Sequence, residues 1–287
     1  MAMAVIERIP ALRVWLGEAR AAGRRIGLVP TMGYLHEGHL SLVRAARGDC
    51  DIVVVSVFVN PTQFGPNEDF DRYPRDFERD RRLCAEAGVD AIFHPLVDEM
   101  YPSGPPFTTV SVSRLSAGLC GRSRPTHFAG VATVVAKLLN IVAPDRAYFG
   151  EKDYQQLAVI RTMVRDLDIP VEIVGCPTVR EPDGLAMSSR NTLLTPEARA
   201  QAPILHRALL RGRDMVASGE ADPCAVTEAV REMIQSADLA EIDYIEVVGT
   251  DDLQPPARLD GRVLVAVAVR FGGVRLIDNT VVGNGSA

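Results

Sequence analysis

The chain has 287 residues, of which 47% are hydrophobic and 24% are charged, enough apolar side chains for a sizeable core and about two domains. This composition excludes a disordered or collagen-like chain. Its 31 Lys and Arg against 37 Asp and Glu give a net charge of −6, which argues against a polynucleotide partner because nucleic-acid binding depends on basic side chains. The longest apolar runs, 53–59 and 264–269, are far shorter than the roughly 20 residues of a membrane-spanning helix, so we expect no membrane span.

The cysteines are odd in number and widely spaced. The five lie at positions 50, 84, 120, 176 and 224 and form no CxxC motif. The sequence MAMAVIERIP also has no basic flank followed by an apolar core, as a secretory signal would. We therefore expect reduced thiols, a cytoplasmic protein and no structural zinc.

Strands and helices alternate in the first 95 residues. An apolar run at 25–30 is followed by a turn-rich loop and by a helix with apolar residues at 40, 43 and 46. A β-branched strand at 51–59, a charged helix at 75–88 and a strand at 89–95 come next. These two βαβ units predict an α/β fold with a Rossmann-like doubly wound parallel sheet.

The remaining chain predicts the rest of this sheet and a smaller domain. Segment 96–126, rich in Pro, Gly and Ser, predicts a long connection with one strand at 108–112. A helix at 128–142, strands at 146–150 and 171–177, and a helix at 153–168 complete a first domain, 1–178. In 179–287, a helix from Thr195 to Ser218, a second helix after Asp222-Pro223 and strands at 242–249, 262–270 and 274–277 predict a smaller α+β domain.

The loop between the first apolar strand and its helix carries the sequence PTMGYLHEGH, residues 30–39. His36 and His39 are three residues apart and share one face of the first helical turn, with Gly38 between them. A helix N-terminus offers unpaired N–H groups and partial positive charge, so the two imidazoles add donors for polyphosphate oxygens. The alternatives are structural helix caps, a metal pair, or a chance occurrence. A metal would need further ligands, and no third His or Cys lies at a recognisable spacing.

Polar side chains follow two other predicted strands. Asn60 and Gln63 come after 51–59, and an amide both donates and accepts, which suits a hydroxyl-bearing substrate; a turn-stabilising role is the alternative. Lys152 follows 146–150, and only it and Lys137 are Lys among 31 cationic side chains. Its compact, mobile charge suits a reacting phosphate or carboxylate, whereas a solvated lysine at a helix start is the alternative.

Four sequence blocks fall within residues 30–191: TMGYLHEGH, FVNPTQF, FGEKDYQQ and MSSRN. Together they resemble the signatures of the pantothenate synthetase (pantoate–β-alanine ligase) family of HIGH-motif nucleotidyltransferases. The resemblance implies ATP-dependent condensation of (R)-pantoate with β-alanine to pantothenate, AMP and pyrophosphate through a pantoyl adenylate. It also implies Mg²⁺ as cofactor and a homodimer.

The resemblance assigns roles to individual residues. It implies that the catalytic residues are His36, His39, Lys152, Ser188, Ser189 and Arg190. The ATP-binding residues would be Pro30, Thr31, Met32, Gly33, His36, Gly38, His39, Gly150, Lys152, Asp153, Val179, Met187, Ser188, Ser189 and Arg190. Pantoate would be held by Met32, Asn60, Gln63, Arg124, His127 and Gln156, and magnesium by Asp80.

Two of these segments have interpretations of their own. Met187–Asn191 resembles the KMSKS element, with hydroxyls and one guanidinium to hold departing pyrophosphate on a mobile flap; in isolation Ser-Ser-Arg is more typical of a helix cap. Arg122–Phe128 is a local positive cluster, for which a surface patch is the alternative. Thr126 stands there where the family pattern has Gly, and we expect a backbone difference because Thr resists the positive φ that Gly permits.

Other functions remain open at this point. A nucleotidyltransferase of the same fold could adenylylate a phosphate substrate and stop there. A nucleotide-binding module could have kept the fold and lost catalysis. A metalloprotein built on His36 and His39 would contain bound transition metal.

Overall fold

The structure is a computed structural model and describes residues 3–66 and 68–283. The chain forms two compact units. Unit 1 comprises Met1–Val112, Arg124–Glu151 and Gln156–Pro177, and unit 2 comprises Ser113–Ser123, Lys152–Gln155 and Thr178–Ala287. The boundary at residue 178 between two domains stays a prediction.

Unit 1 contains a six-stranded sheet in the order β1-β4-β3-β2-β5-β6. Its strands are β1 (Ala4–Ile6), β2 (Ile26–Thr31), β3 (Ile52–Val57), β4 (Ala91–Phe93), β5 (Arg146–Gly150) and β6 (Glu172–Cys176). All neighbouring pairs run parallel, which confirms the predicted Rossmann-like class. The strand order reverses beside β2, which pairs with β3 on one side and β5 on the other, and open α/β sheets bind ligands at the carboxyl ends of strands at such a point.

The helices of the described residues are α1 (Ile9–Ala21), α2 (Glu37–Asp49), α3 (Phe77–Glu86), α4 (Val97–Met100), α5 (Cys120–Ser123), α6 (His127–Val142), α7 (Tyr154–Asp166), α8 (Pro196–Gln201), α9 (Ile204–Ala217) and α10 (Pro223–Gln235). They include those predicted between the strands and three that were not predicted, α1, α4 and α5. None of the helices in 3–66 and 68–283 combines the length and apolar character needed to cross a membrane.

Strand β3 and helix α6 are among the most buried elements of unit 1. Every residue of β3 is buried, as its continuous β-branched sequence predicts for a strand covered on both faces. Helix α6 is buried around most of its circumference and packs against the 3₁₀ turn Pro61–Gln63. The packing of α6 therefore fixes the turn in which Gln63 lies.

Unit 2 contains an antiparallel sheet in the order β7-β8-β9. Its strands are β7 (Ala240–Gly249), β8 (Val263–Phe271) and β9 (Val274–Val282), and α9 and α10 contribute to the same apolar core. This arrangement confirms the smaller α+β fold. Strand β9 extends to Val282, beyond the predicted end at residue 277.

Three local predictions were incomplete or wrong. Strand β1 and helix α1 were not predicted. Residues 108–112 are not a strand, and the N–H of Val110 donates to the Thr133 hydroxyl (3.0 Å) instead of to a strand. The single helix predicted over 195–218 is two helices, α8 and α9, because Pro203 has no N–H to continue the helical hydrogen bonds.

Gly130 of α6 tests how tightly this helix packs on the turn before it. A Cβ at residue 130 would lie 2.7 Å from the Cα of Gln63 and closer still to the Thr62 carbonyl. We expect Gly130→Ala to lower the free energy of unfolding by about 1–3 kcal/mol, because backbone would have to shift. Urea denaturation measures the loss.

The control for this experiment is Gly48→Ala in α2, where a Cβ would have no neighbour within 4 Å. Alanine in a helix is favoured over glycine by roughly 0.5–1 kcal/mol, so this variant should be as stable as the wild type or slightly more so. Equal effects of the two substitutions would contradict close packing at Gly130.

Candidate active site

The loop from β2 to α2, residues 32–36, leaves the sheet through a left-handed turn. Gly33 has φ +80° and Tyr34 has φ +52°. A Cβ at Gly33 would lie 2.9 Å from both Asp80 Oδ2 and Val57 Cγ1, so glycine is required there for space as well as for conformation. Left-handed backbone at a tyrosine is unfavourable, and contacts elsewhere must hold this loop in place.

Helix α3 supplies those contacts. The Asp80 carboxylate, 1% exposed, accepts the N–H groups of Tyr34 and Leu35, each at 2.7 Å. Arg79 donates to the Leu35 carbonyl (2.8 Å), and its guanidinium lies 5.2 Å from the Tyr34 ring centroid. Burial raises the pKa of Asp80, and the two N–H groups oppose that shift by favouring its charged form.

The predicted magnesium role of Asp80 does not fit this geometry. Each carboxylate oxygen accepts a backbone N–H, and the side chain is almost completely buried. Within 3–66 and 68–283, no group of three His, Cys, Asp or Glu side chains could hold a metal ion. Asp80 instead anchors the loop that precedes α2.

His36 and His39, the imidazole pair, form the N-terminal cap of α2. His36 Nδ1 accepts the N–H of Gly38 (3.1 Å), and His39 Nδ1 accepts the N–H of His36 (3.3 Å). Their ring centroids are 4.0 Å apart. Because each Nδ1 is an acceptor, a neutral ring carries its proton on Nε2 and is a donor there. Both imidazoles therefore cap the helix, as the structural alternative predicted, and a proton on Nε2 is the tautomer that could donate to a phosphate oxygen.

The structure brings three predicted pantoate residues together in unit 1. Gln63 Nε2 donates to Met32 Sδ (3.1 Å), and Asn60 Nδ2 donates to Gln63 Oε1 (3.1 Å). Asn60 and Gln63 are both buried. They lie after β3, and Met32 lies after β2, which pairs with β3 in parallel.

Arg124 and His127 contact the same turn. His127 Nδ1 lies 2.9 Å from the Gln63 carbonyl oxygen and therefore donates to it, so His127 Nε2 accepts from Arg124 (3.2 Å). Arg124 also donates to that carbonyl (3.3 Å) and forms a two-point ion pair with Glu68, with Nε at 2.8 Å from Oε1. Burial opposes ionisation of Glu68, but hydrogen bonding and charge from Arg124 lower its pKa.

The backbone difference expected at Thr126 is absent. Thr126 has φ −95°, in the right-handed region that threonine adopts readily, and α6 begins at the next residue. The departure from the family pattern therefore causes no strain at this position.

In unit 2, Lys152 lies in the 3₁₀ turn Glu151–Asp153. Its side chain is 17% exposed, and Nζ lies 3.6 Å from Asp153 Oδ2. The Lys152 carbonyl accepts from Asn279 Nδ2 (2.8 Å), which fixes the backbone of the turn. At Gly150, in unit 1, a Cβ would meet nothing within 4 Å.

The adjacent glutamines Gln155 and Gln156 differ in environment. Gln155 is buried; its Oε1 accepts the N–H of Cys120 (3.0 Å), and its Nε2 donates to the carbonyls of Leu115 and Gly118, both at 2.8 Å. It holds segment 113–123 within unit 2. Gln156, the predicted pantoate ligand, belongs to unit 1 and is half-buried.

Residues Met187–Arg190 follow a small hairpin in unit 2, residues 180–186, in which Arg180 and Ala186 form an antiparallel bridge. The N–H of Met187 donates to the Val179 carbonyl (3.0 Å), and Ser188 Oγ accepts the N–H of Arg190 (3.3 Å) as the cap of a 3₁₀ turn. The capping alternative is therefore realised for Ser188. Ser189 is buried.

The hairpin is attached to unit 2 by ion pairs. Arg180 binds the buried Asp278 through both carboxylate oxygens, at 2.7 and 3.0 Å. Arg199 binds Glu181 and Asp183, each at 2.6 Å. The predicted movement of this segment as a flap stays a prediction.

The family model described as pantoate–β-alanine ligase matches residues 4–281. The chain belongs to the pantoate–β-alanine ligase family. This confirms the resemblance drawn from the four motifs and, with it, the expected class of activity, an ATP-dependent ligase.

Relatives and solved structures agree with the family assignment. Pantothenate synthetase of Moorella thermoacetica is 58% identical over 97% of this chain and 98% of its own, and that of Thermotoga neapolitana is 56% identical over 98% and 100%. The pantothenate synthetase structure from Thermus thermophilus has a TM-score of 0.91 and 51% identity over 97% and 99% of the two chains. The Francisella tularensis pantoate–β-alanine ligase, complexed with beta-gamma ATP and β-alanine, has a TM-score of 0.80 and 36% identity over 97% of each chain.

Sequence reasoning missed several residues that position the site. Arg79, Glu68 and Tyr101 lie far along the chain from the residues that they contact, at separations that no short motif contains. Asp80 differs from the other acids of its helix in being buried, and nothing in the sequence of that charged helix predicts this difference.

Asp80→Asn tests the loop anchor. Asn keeps one acceptor oxygen but presents an NH₂ group to the other backbone N–H, leaving a buried donor without an acceptor. We expect the free energy of unfolding to fall by about 1–3 kcal/mol, measured by urea denaturation.

The matched control is Asp76→Asn, four positions earlier at the N-cap of α3. Asp76 accepts the N–H of Arg79 (3.0 Å) and is exposed. Asn caps helices about as well as Asp, so this variant should be nearly as stable as the wild type. Anchoring by Asp80 is refuted if both variants lose the same stability.

Proposed function

We propose that this chain condenses (R)-pantoate with β-alanine, consuming ATP and releasing pantothenate, AMP and pyrophosphate. The observation that carries the proposal is the imidazole pair, whose Nδ1 atoms cap α2, so that a neutral ring carries its proton on Nε2 at a helix N-terminus, where phosphate binds favourably. Membership of the pantoate–β-alanine ligase family indicates that the acid is pantoate and the amine is β-alanine.

The reaction proceeds in two displacements. The pantoate carboxylate attacks the α-phosphorus of ATP, the bond to the β-phosphate oxygen breaks, and pyrophosphate leaves. The β-alanine amine then attacks the carbonyl of the pantoyl adenylate, loses a proton and expels AMP. Neither step forms a covalent bond to the protein, so the residues act by positioning and by stabilising charge.

Each site residue has a proposed part in these steps. His36 and His39 donate to the triphosphate, Lys152 stabilises charge on the reacting carboxylate and α-phosphate, and Ser188, Ser189 and Arg190 hold the leaving pyrophosphate. Pantoate is bound by Met32, Gln63, Arg124, His127 and Gln156, with Asn60 behind Gln63. The remaining nucleotide contacts come from Pro30, Thr31, Gly33, Gly38, Gly150, Asp153, Val179 and Met187.

We propose that magnesium binds together with ATP, through the phosphate oxygens of the nucleotide. Asp80 does not fit as its ligand, and no step is assigned to a protein-held ion. We also propose a homodimer, as the resemblance implies, and a cytoplasmic location, as the widely spaced cysteines indicate; light scattering after gel filtration tests the oligomeric state.

The function is tested by supplying ATP, Mg²⁺ and pantoate without amine. We expect pantoate-dependent exchange of pyrophosphate into ATP and a trapped acyl adenylate, followed by AMP release when β-alanine is added. Adenylylation of a phosphate substrate with no dependence on pantoate would instead identify the same-fold adenylyltransferase. ATP binding without any turnover would identify a non-catalytic module.

Lys152→Ala should lower kcat at least 10²-fold, about 2.7 kcal/mol, because charge stabilisation in the transition state is lost. Initial rates of AMP formation measure the loss, and thermal unfolding checks that the variant folds. Arg165→Ala, which removes an exposed cation from the last turn of α7, serves as the control and should keep wild-type turnover. Near-normal turnover by Lys152→Ala would reject its role.

His36→Asn separates helix capping from phosphate binding. Asn is a favoured N-cap, so the variant should keep the stability of α2 while losing the Nε2–H donor. We expect pyrophosphate exchange to fall at least tenfold in His36→Asn and in His39→Ala. Wild-type exchange in both variants would mean that the imidazole pair has only a structural role.

A further inference from the structure

The orientation of the Gln63 side-chain amide decides which substrate groups Gln63 can bind. An amide presents an acceptor at Oε1 and donors at Nε2, and rotation by 180° exchanges them. The neighbours that accept from or donate to each end therefore fix its polarity. In this structure Oε1 accepts from Asn60 (3.1 Å), and Nε2 donates to Met32 Sδ (3.1 Å).

Asn60 is itself held in one orientation by a backbone donor at one end of its amide and a backbone acceptor at the other. The N–H of Thr62 donates to its Oδ1 (3.3 Å), as do the hydroxyls of Tyr101 (2.9 Å) and Thr62 (3.0 Å). Its Nδ2 donates to Gln63 and to the Gly130 carbonyl (3.2 Å), which is only an acceptor. Rotation of Asn60 would set oxygen against the Gly130 carbonyl oxygen.

Tyr101 is the distant member of this network. It follows α4, 41 residues from Asn60 in sequence, and is 5% exposed. Its ring lies 6.3 Å from the Phe58 ring, and the Lys137 ammonium lies 5.5 Å from its centroid. Burial raises the pKa of Tyr101, so its phenol stays protonated at neutral pH and remains a donor.

We infer that Tyr101 is a positioning residue that, through Asn60, fixes Gln63 with its NH₂ group as the end that meets pantoate. In the described part of the chain, the second Nε2 proton of Gln63 has no partner, so it is the one that a ligand can accept. The substrate must then present a hydrogen-bond acceptor, a hydroxyl or carboxylate oxygen, to the Gln63 NH₂ group. The inference rests on the proposed function.

The experiment compares Tyr101→Phe with the wild type. Asn60 Oδ1 keeps its two bonds from Thr62, so the variant should fold, with a wider spread of amide orientations at Asn60 and Gln63. We expect the KM and the calorimetric Kd for pantoate to rise about tenfold, while KM for ATP stays within about twofold. An unchanged Kd for pantoate would overturn the inference.

Tyr148→Phe is the matched control. Tyr148 is fully buried in unit 1 and donates to Asp49 Oδ2 (2.9 Å), with no bond to Asn60 or Gln63. It should lose a comparable amount of stability and keep wild-type affinity for pantoate. An equal rise in Kd in both variants would assign the effect to general loosening and would also overturn the inference.

Gln63→Glu provides a test that does not depend on Tyr101→Phe folding. One carboxylate oxygen can accept from Asn60 as before, and the other presents an acceptor where the amide presents a donor. We expect pantoate affinity to fall at least 100-fold with little change in ATP affinity. Wild-type affinity for pantoate would show that the donor is not required.

Calorimetry measures the affinity for pantoate, and the exchange assay measures catalysis. Together they distinguish failure of this inference from failure of the proposed function. A wild-type protein that binds pantoate without catalysing pyrophosphate exchange counts against the proposed function alone. Variants with unchanged affinity in an active background count against this inference alone. Failure of the wild type to bind pantoate would overturn both.

Discussion

The parallel register of β2 and β3 is the constraint on which the unit 1 site depends. Thr31 pairs with Val57, the N–H of Phe58 donates to the Thr31 carbonyl (3.1 Å), and the Thr31 hydroxyl donates to the Ser56 carbonyl (2.7 Å). The chain therefore leaves β2 and β3 at neighbouring positions on the same edge of the sheet. A shift of one residue would turn the buried side chains of β3 to the opposite face and separate Gln63 from Met32.

Anchoring and binding are closely connected in the loop before α2. The left-handed turn at Gly33 and Tyr34 is unfavourable alone, and Asp80 offsets it with two hydrogen bonds from inside unit 1. The turn in turn sets His36 at the start of α2, where Nδ1 satisfies a helix N–H and the proton is placed on Nε2. One side chain thus caps the helix and, in its neutral form, carries its proton on Nε2.

Sequence predicted the elements whose periodicity is strong and the motifs whose spacing is local. Strands β3 and β5, and the positions of His36, Gln63 and Lys152 just after strands, followed from patterns within a few residues of each other. Strand β1 was missed because three residues carry little periodicity, and the interruption at Pro203 because apolar residues continue on both sides of it. The anchors Asp80 and Tyr101 depend on contacts 46 and 41 residues away, which spacing alone cannot reveal.

Arginine and lysine differ in what they contact in this chain, and the difference fits the separate part proposed for Lys152. Arg124, Arg180 and Arg199 each bind carboxylates through more than one nitrogen, and these pairs fix the segments that carry Gln63 and Ser188. A planar guanidinium suits that task because its geometry is fixed. Lys152 has one carboxylate contact, at 3.6 Å, with its neighbour Asp153. A compact ammonium group with so long an ion-pair distance can follow a phosphate as its bonds change. A guanidinium bound at two points cannot move in this way without breaking the ion pair that holds its segment.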